Sequence, residues 1–287
     1  SDGTWRIDWD YSAKQPRQTC GEMVVECRGH RAPKTAMDIH RGAALISLGR
    51  SFEGASPQPR TTFVEPFAHG WAWGAVDGRG RAHIQTVILP QTLSLHGDDP
   101  DATHVFCLNH LHRMLRRFGG SLRATGSAHA RGILPVLRGG VAGAEFLRIG
   151  DAAYTCDPLS GHGVFEAVSG AIAAVPVINT LLHRPDDAAL ALRYLSQRAE
   201  AVFRSRIEAA RQHYTSETRW QDEPFWLRQA VPVDHFRHGL AQSAAAFAVL
   251  PVVEDGVIVE RRVVVSADFP RGVRIDDGVD LAALDER

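Results

Sequence analysis

Cysteine is scarce in this chain: four residues in 287, at positions 20, 27, 107 and 156. They form no CxxC pair and their spacing does not match a disulfide framework, which points to a reducing compartment and a cytoplasmic setting. A dominant charge is missing as well, since 32 Lys and Arg stand against 33 Asp and Glu. A balance of that kind creates no global field to draw in nucleic acid or a membrane surface, so neither is expected as a partner. Unbroken apolar runs of the roughly 18 residues that a membrane span needs are absent, and no signal peptide is visible. Internal repeats and low-complexity linkers are lacking too.

The hydrophobic residues, 44% of the total, are enough to build a substantial core. The most informative stretch is LRIGDAAYTCDPLSGHGVFEAVSG, residues 147 to 170. An apolar strand runs into Gly150-Asp151, a Pro/Gly turn follows, and a helix of small residues begins. Gly150 lacks a Cβ and lets a ligand pass close to the backbone, while the Asp151 carboxylate is an acceptor for a ligand hydroxyl. Asp157-Pro158 favours a turn, and Gly161 and Gly163 permit a tight entry into a helix. From Gly163 onward the unpaired N–H groups and positive dipole end of that helix favour negative charge in the turn. The alternative is a strand-turn-helix corner whose glycines serve packing alone.

GDAA followed by DPLSGHGVFEA resembles the second FAD-binding motif of the flavin monooxygenase and flavin halogenase superfamily. The resemblance implies that Asp151, after Gly150, binds the ribityl chain of FAD. It places Pro158, Leu159, Gly161, Gly163 and Val164 beside the flavin pyrimidine edge. VVECRGHRAP (24 to 33) is similar to the strand and Gly-Arg-Arg turn near the FAD domain. HGWAWGAV (69 to 76) is similar to the Gly-Trp-x-Trp strand of flavin halogenases, although Ala75-Val76 stands where that pattern continues Ile-Pro. The GxGxxG turn that holds the FAD pyrophosphate in the superfamily is not found; Gly139, Gly140 and Gly143 have the wrong spacing. The chain opens Ser-Asp-Gly-Thr in what reads as a mid-protein strand, so a front portion of about 150 residues is expected to be absent.

The fold expected is α+β or α/β: a partial Rossmann-like FAD-binding domain interleaved with a mostly antiparallel substrate sheet, followed by C-terminal helices. Residues 1–41 and 131–185 are assigned to the FAD-binding part, 42–130 to the sheet, and 186–287 to a helical region with a terminal hairpin. Trp5, Ile7 and Trp9 alternate with Arg6 and Asp8 as in a half-buried strand. MVVEC, AALISLG, TTFVEPF, GWAWGAV and HIQTVIL read as further strands, with a hairpin at Asp77-Gly78 and Gly80. Leu108, Leu111, Leu115 and Phe118 have helical spacing over 101–118, with Asp101 as cap and Gly119-Gly120 as stop. ARGILPVL (130 to 137) and EFLRIG are strands. Residues 163 to 182 are apolar nearly all round, which predicts a buried helix kinked at Pro176. The longest helix starts near Asp186 with a stripe Leu192, Leu195, Ala199, Phe203, Ile207, Ala210 and Tyr214, and a hairpin turns at Asp255-Gly256.

Other chemistry-bearing residues are weighed against plainer roles. His104, Cys107 and His110 spread over a third of a helix, so a core thiol flanked by surface histidines is favoured over a metal site, and no metal is expected. Arg113, Arg116 and Arg117 form a patch for a partner or a reductase or, as favoured, complement a helix C-terminus. Trp71 and Trp73 share one strand face and either wall an aromatic pocket or belong to the core. His69 and His83 are candidate substrate contacts. His162, between two glycines, is a candidate for proton transfer or a surface loop residue.

The resemblance implies an FAD-dependent monooxygenase that forms a flavin C4a-hydroperoxide and hydroxylates an electron-rich aromatic ring. DPLSGHG and FPRGVRIDDGVDL are similar to the branch that hydroxylates tryptophan within protein substrates during quinone cofactor maturation. The partners implied are an aromatic small molecule or a tryptophan-containing peptide or protein, with a separate flavin reductase or NAD(P)H as electron source. A flavin-dependent halogenase and a truncated, non-catalytic binding module remain as alternatives.

Overall fold

A computed structural model describes residues 4–9, 17–40, 42–230, 246–266, 271–273, 275–276 and 279–280. In chain order, β1 (Trp5–Trp9), β2 (Arg17–Gly21), β3 (Val24–Glu26) and β4 (Ile39–His40) come first. β5 (Leu45–Glu53), β6 (Thr61–Phe67), β7 (Gly70–Val76) and β8 (Arg81–Ile88) follow, then helices α1 (Pro90–Ser94), α2 (Pro100–Leu108) and α3 (His112–Phe118). Short strands β9 (Arg123–Ala124), β10 (His129–Ile133), β11 (Val136–Leu137), β12 (Ala142–Gly143), β13 (Phe146–Arg148) and β14 (Tyr154–Thr155) lead to α4 (Gly163–His183), α5 (Ala188–Ser216) and α6 (Pro224–Ala230). The hairpin of β15 (Ala246–Glu254) and β16 (Val257–Val265) comes next.

The chain divides into two compact units. One comprises Ser1–Ile39, Val136–Arg206 and Asp234–Arg287; the other comprises His40–Pro135 and Ile207–Val233. The second is built on a sheet of order β10-β5-β8-β7-β6, with β9 also on β5. Its pairings are antiparallel, and the β7–β8 turn lies where Asp77, Gly78 and Gly80 predict it.

One face of this sheet carries the core. Ala72 and Val76 of β7 point with Leu48, Phe52, Ile84 and Ile88 toward Cys107, Leu111, Met114 and Phe118. Gly74 belongs to the same face, where a Cβ would come within 2.7 Å of the Met114 sulfur and the Phe118 ring. Buried Glu65 accepts the Arg113 and Met114 N–H groups, at 3.1 and 2.6 Å, and so satisfies two orphan donors at the start of α3.

The helix expected over 101–118 is two helices, separated at Asn109–Leu111. Its cap is Asp99, which accepts from Asp101 and Ala102 N–H, while Asp101 sits inside the first turn and ties down Ala128. Pro100 explains the shift, because proline suits the first helical position and leaves the residue before it extended. Arg113 lies in the first turn of α3, so only Arg116 and Arg117 complement a helix C-terminus. The strand expected over 130–137 breaks between β10 and β11, on either side of Leu134-Pro135.

In the first unit, β13 runs parallel to β3, with Phe146 opposite Val24 and Arg148 opposite Glu26. The β15–β16 hairpin turns at Asp255 and Gly256, both with positive φ, as the Asp-Gly pair predicts. It meets α4 where the Ile258 N–H donates to Thr180 Oγ1 at 2.8 Å. The β1–β2 ribbon is exposed at Trp5 and Ile7, not half-buried as alternation suggests. Helix α4 departs from expectation more strongly, because Val164, Phe165, Val168, Ile172, Val175 and Leu182 lie exposed along it. Among the described residues it is the one helix long and apolar enough, by length and composition, to cross a membrane. Glu166, Ser169, Asn179 and Thr180 interrupt its apolar run, which is how it escapes a search for uninterrupted stretches.

Asp38 and Arg138 form a buried ion pair at 2.6 Å, and Gly139 N–H and Thr35 Oγ1 donate to the same carboxylate. Burial alone would raise the Asp38 pKa, but the bonds from Arg138, Gly139 and Thr35 outweigh it and bring it down to about 2. A carboxylate held below its unfolded value contributes stability above that value and loses it as pH falls through the folded pKa. Native protein should therefore lose about 2 kcal/mol more than Asp38→Asn between pH 4 and pH 2. Urea midpoints of both proteins across that range check this, and parallel curves would contradict it.

Candidate functional site

Two parallel strands end side by side in the first unit, and each runs into a turn. Ile149 N–H donates to the Glu26 carbonyl at 3.0 Å, and beyond this point come Cys27-Arg28-Gly29 on one strand and Gly150-Asp151 on the other. Gly29 has φ +66°, and a Cβ there would sit 3.8 Å from that of Asp151, so the two turns abut. Glu26, buried, takes the Arg28 N–H and guanidinium, which lower its pKa despite the opposing effect of burial. Crevices beyond the carboxyl ends of parallel strands are where α/β sheets hold ligands.

Gly150 has φ +58° and is buried, and a Cβ on it would meet Ala167 at 3.2 Å. One turn further along α4, a Cβ on Gly170 would meet the Ile149 side chain at 3.3 Å. Small residues on the first turns of α4 thus let the helix press against the strand end. Between them, Asp157 accepts the Leu159 N–H at 2.8 Å, Pro158–Ser160 forms a single tight turn, and Gly161 takes a left-handed conformation with φ +64°. His162 then leads into α4 with no side-chain cap. Among the described residues a Cβ on Gly161 or Gly163 would meet nothing within 4 Å, and no side chain caps the helix start.

The expected cofactor residues fall around this corner. Asp151, Gly161, His162, Gly163 and Val164 are exposed, Pro158 and Leu159 half-buried. His162 Nδ1 contacts the Ser160 carbonyl, and its ring lies edge-on to Phe165 at 6.2 Å. The residues suit one end of an FAD: a carboxylate beside the strand end, a close backbone approach and an uncapped helix start. No glycine-rich pyrophosphate turn accompanies them in the sequence.

Beneath the corner lies a group that the sequence reading missed. Glu166, buried in the first turn of α4, accepts from Tyr154 OH at 3.1 Å and from Arg206 Nε and Nη2 at 2.8 and 2.6 Å. Burial, then the Glu166 charge, raises the Tyr154 phenol and pushes the Cys156 thiol up to about 12. A lone carboxylate in an otherwise apolar helix was the available signal.

The sheet of the second unit separates the remaining candidates. Trp71 is buried and its Nε1 donates to Tyr214 OH at 3.1 Å, among Phe225 and Trp226, so it has the core role left open for it. Trp73, two residues along, is half-buried on the same face with His83, their ring centroids 6.4 Å apart. His83 Nδ1 is 3.2 Å from Ser51 Oγ. Neighbouring Gln85 donates to Ser47 on that face, a contact that strand alternation could have revealed. His69 is committed elsewhere, packed on Phe67, Phe106 and His110. His104 is not on a helix surface but fully buried, with Nε2 3.2 Å from the Ile84 carbonyl, and burial lowers its pKa to about 4.

No family model and no curated protein sequence matches this chain. Solved structures do. A peptidyl tryptophan dihydroxylase, QhpG, described as essential for tryptophylquinone cofactor biogenesis, superposes with a TM-score of 0.77 at 34% identity, over 93% of this chain and 62% of that one. The flavin-dependent halogenase CmlS follows with 0.73 at 13% identity, over 90% and 60%. The fold is that of the flavin-dependent hydroxylases and halogenases. The myxobacterial chondrochloren halogenase CndH, a variant of FAD-dependent halogenases, gives 0.68 at 15% identity, over 79% and 55%. This chain thus spans about three-fifths of the length of such flavoenzymes. Of the branches expected from the sequence, the peptidyl tryptophan hydroxylases are the one that the 34% match supports.

At this corner Gly150 leaves little room for change. Gly150→Ala forces an L side chain into a left-handed backbone and against Ala167, at a cost of about 2 kcal/mol. Urea unfolding measures it, and an unchanged midpoint would contradict the close-packing role.

Proposed function

We propose that this chain belongs to an FAD-dependent monooxygenase that hydroxylates an electron-rich aromatic ring, and that the ring is a tryptophan side chain within a peptide or protein. The observation that carries this reading is the 34% identity to a peptidyl tryptophan dihydroxylase over 93% of the chain. The first unit is proposed as its Rossmann-like FAD-binding part and the antiparallel sheet as its substrate part.

On this reading Asp151 accepts a hydroxyl of the FAD ribityl chain. The turn Pro158-Leu159-Ser160-Gly161 and the start of α4 at Gly163 and Val164 take the pyrimidine edge, where the uncapped N–H groups stabilise negative charge on the reduced ring. The bound flavin supplies oxygen-transfer chemistry, drawing electrons from NAD(P)H or a separate flavin reductase. The chain's own part is to hold that ring, to fix the helix start through Glu166, Tyr154 and Arg206, and to exclude water. His162, with Nδ1 at the Ser160 carbonyl, presents Nε2 beside the turn for proton transfer.

Halogenation is the second reading, favoured by the fold shared with CmlS and CndH and by the Gly70-Trp71-Ala72-Trp73 strand. The two predict different products. Incubated with FAD, a flavin reductase, NADH, oxygen and a tryptophan-containing peptide, the protein should add oxygen masses to the peptide, with or without bromide. A bromide-dependent brominated product would overturn hydroxylation. Asp151→Ala should weaken FAD binding about tenfold, the worth of one charge-assisted hydrogen bond, with its urea midpoint unchanged. Equal affinity in a fluorescence titration would remove the ribityl assignment.

A further inference from the structure

Cross-strand register brings Ser51, His83 and Ala75 into one row of the sheet, and Gly49, Gln85 and Trp73 into the next. These residues share the face opposite the Met114–Phe118 core. Ser51 holds His83 by Nδ1 at 3.2 Å, so in the tautomer with its proton on Nδ1 the ring presents Nε2 as an acceptor. Nε2 lies over Gly49, where a Cβ would stand 3.3 Å away. Among the described residues no hydrogen bond reaches Nε2. Burial first, then the nearby His129, lowers the His83 pKa below 6.5, which keeps the ring neutral and accepting near pH 7.

The surroundings of Nε2 are aromatic and apolar on one side. The Trp73 ring lies across from His83, and Val64, paired with Trp73 and 51% exposed, continues the surface. A fixed neutral acceptor beside an indole platform matches a flat aromatic ring that carries one N–H at its rim.

We propose that the Trp73–His83–Ser51 corner is the seat of the substrate indole, with Nε2 of His83 accepting the indole N–H and Trp73 lying against the ring. This deepens the hydroxylase reading and rests on it for the choice of ligand. His83 acts here as a specificity residue and Ser51 as the positioning residue that holds its ring through Nδ1. Phenolic or purely hydrocarbon rings would lose either the fit or the hydrogen bond. Gly49 leaves the room that Nε2 needs.

Calorimetric titration of the flavin-free chain with acetyl-Ala-Trp-Ala-amide and its 1-methyltryptophan counterpart tests the seat. The native chain should bind the parent peptide about tenfold more tightly than the methylated one, because methylation removes the donor and leaves a buried acceptor unpaired. His83→Phe should bind the two alike. Gly49→Ala, a small change in a strand, should weaken the parent peptide more than the methylated one and so tests the seat independently of how His83→Phe folds. Equal affinity of the native chain for both peptides would overturn the proposal, as would discrimination that persists in His83→Phe. Failure to bind either peptide would also overturn it, while FAD titration of the same preparation reads the hydroxylase assignment separately.

Discussion

The candidate cofactor corner depends on one close approach: the end of β13 at Ile149-Gly150 against the first turns of α4 at Ala167 and Gly170. Side chains at a contact hold a helix away from its neighbour, and the small residues Gly150, Ala167 and Gly170 remove that spacing here. Because the helix is pinned there, its uncapped start points into the space above Gly161 and Gly163. Glu166 secures the same turn from beneath, its two oxygens shared between Tyr154 and Arg206. Removing the carboxylate would leave a phenol and a guanidinium without their acceptor, so packing and hydrogen bonding fix the same geometry.

A different constraint rules the second unit, whose sheet has two faces of opposite character. Period-two alternation sends Ala72, Gly74 and Val76 into the aliphatic core and Trp71, Trp73 and Ala75 to the other side. Along that other side, Trp71 is closed off by Tyr214 and Trp226, whereas Trp73 and His83 stay half-buried and Ser51 is exposed. One strand thus supplies both a packing indole and a platform indole, two residues apart.

Much of this was legible in the sequence because it rests on local rules. Alternation located β5 to β8, Asp-Gly pairs located the turns at 77–78 and 255–256, and GDAA with DPLSGHG marked the corner where the end of β13 meets α4. What was not legible depends on partners distant along the chain. Asp101, expected as a cap, instead ties Ala128 and Arg50 to the first turn of α2. His104 is buried against Phe52 and Ile84, which no helical wheel of α2 alone reveals. The apolar circumference of α4 suggested full burial, yet its outer stripe from Val164 to Leu182 is exposed among the described residues. Period tells which residues share a face, but not whether anything covers that face.

The central claim is that the open space before α4 is where the flavin ring lies. Fluorescence titration of FAD into the native chain and into Gly163→Trp tests it most directly, since among the described residues a Cβ at Gly163 meets nothing within 4 Å and the larger side chain should leave folding intact. The prediction is saturable FAD binding by the native chain and none by the variant, with thermal midpoints alike. Equal FAD affinity in the two proteins would place the flavin elsewhere.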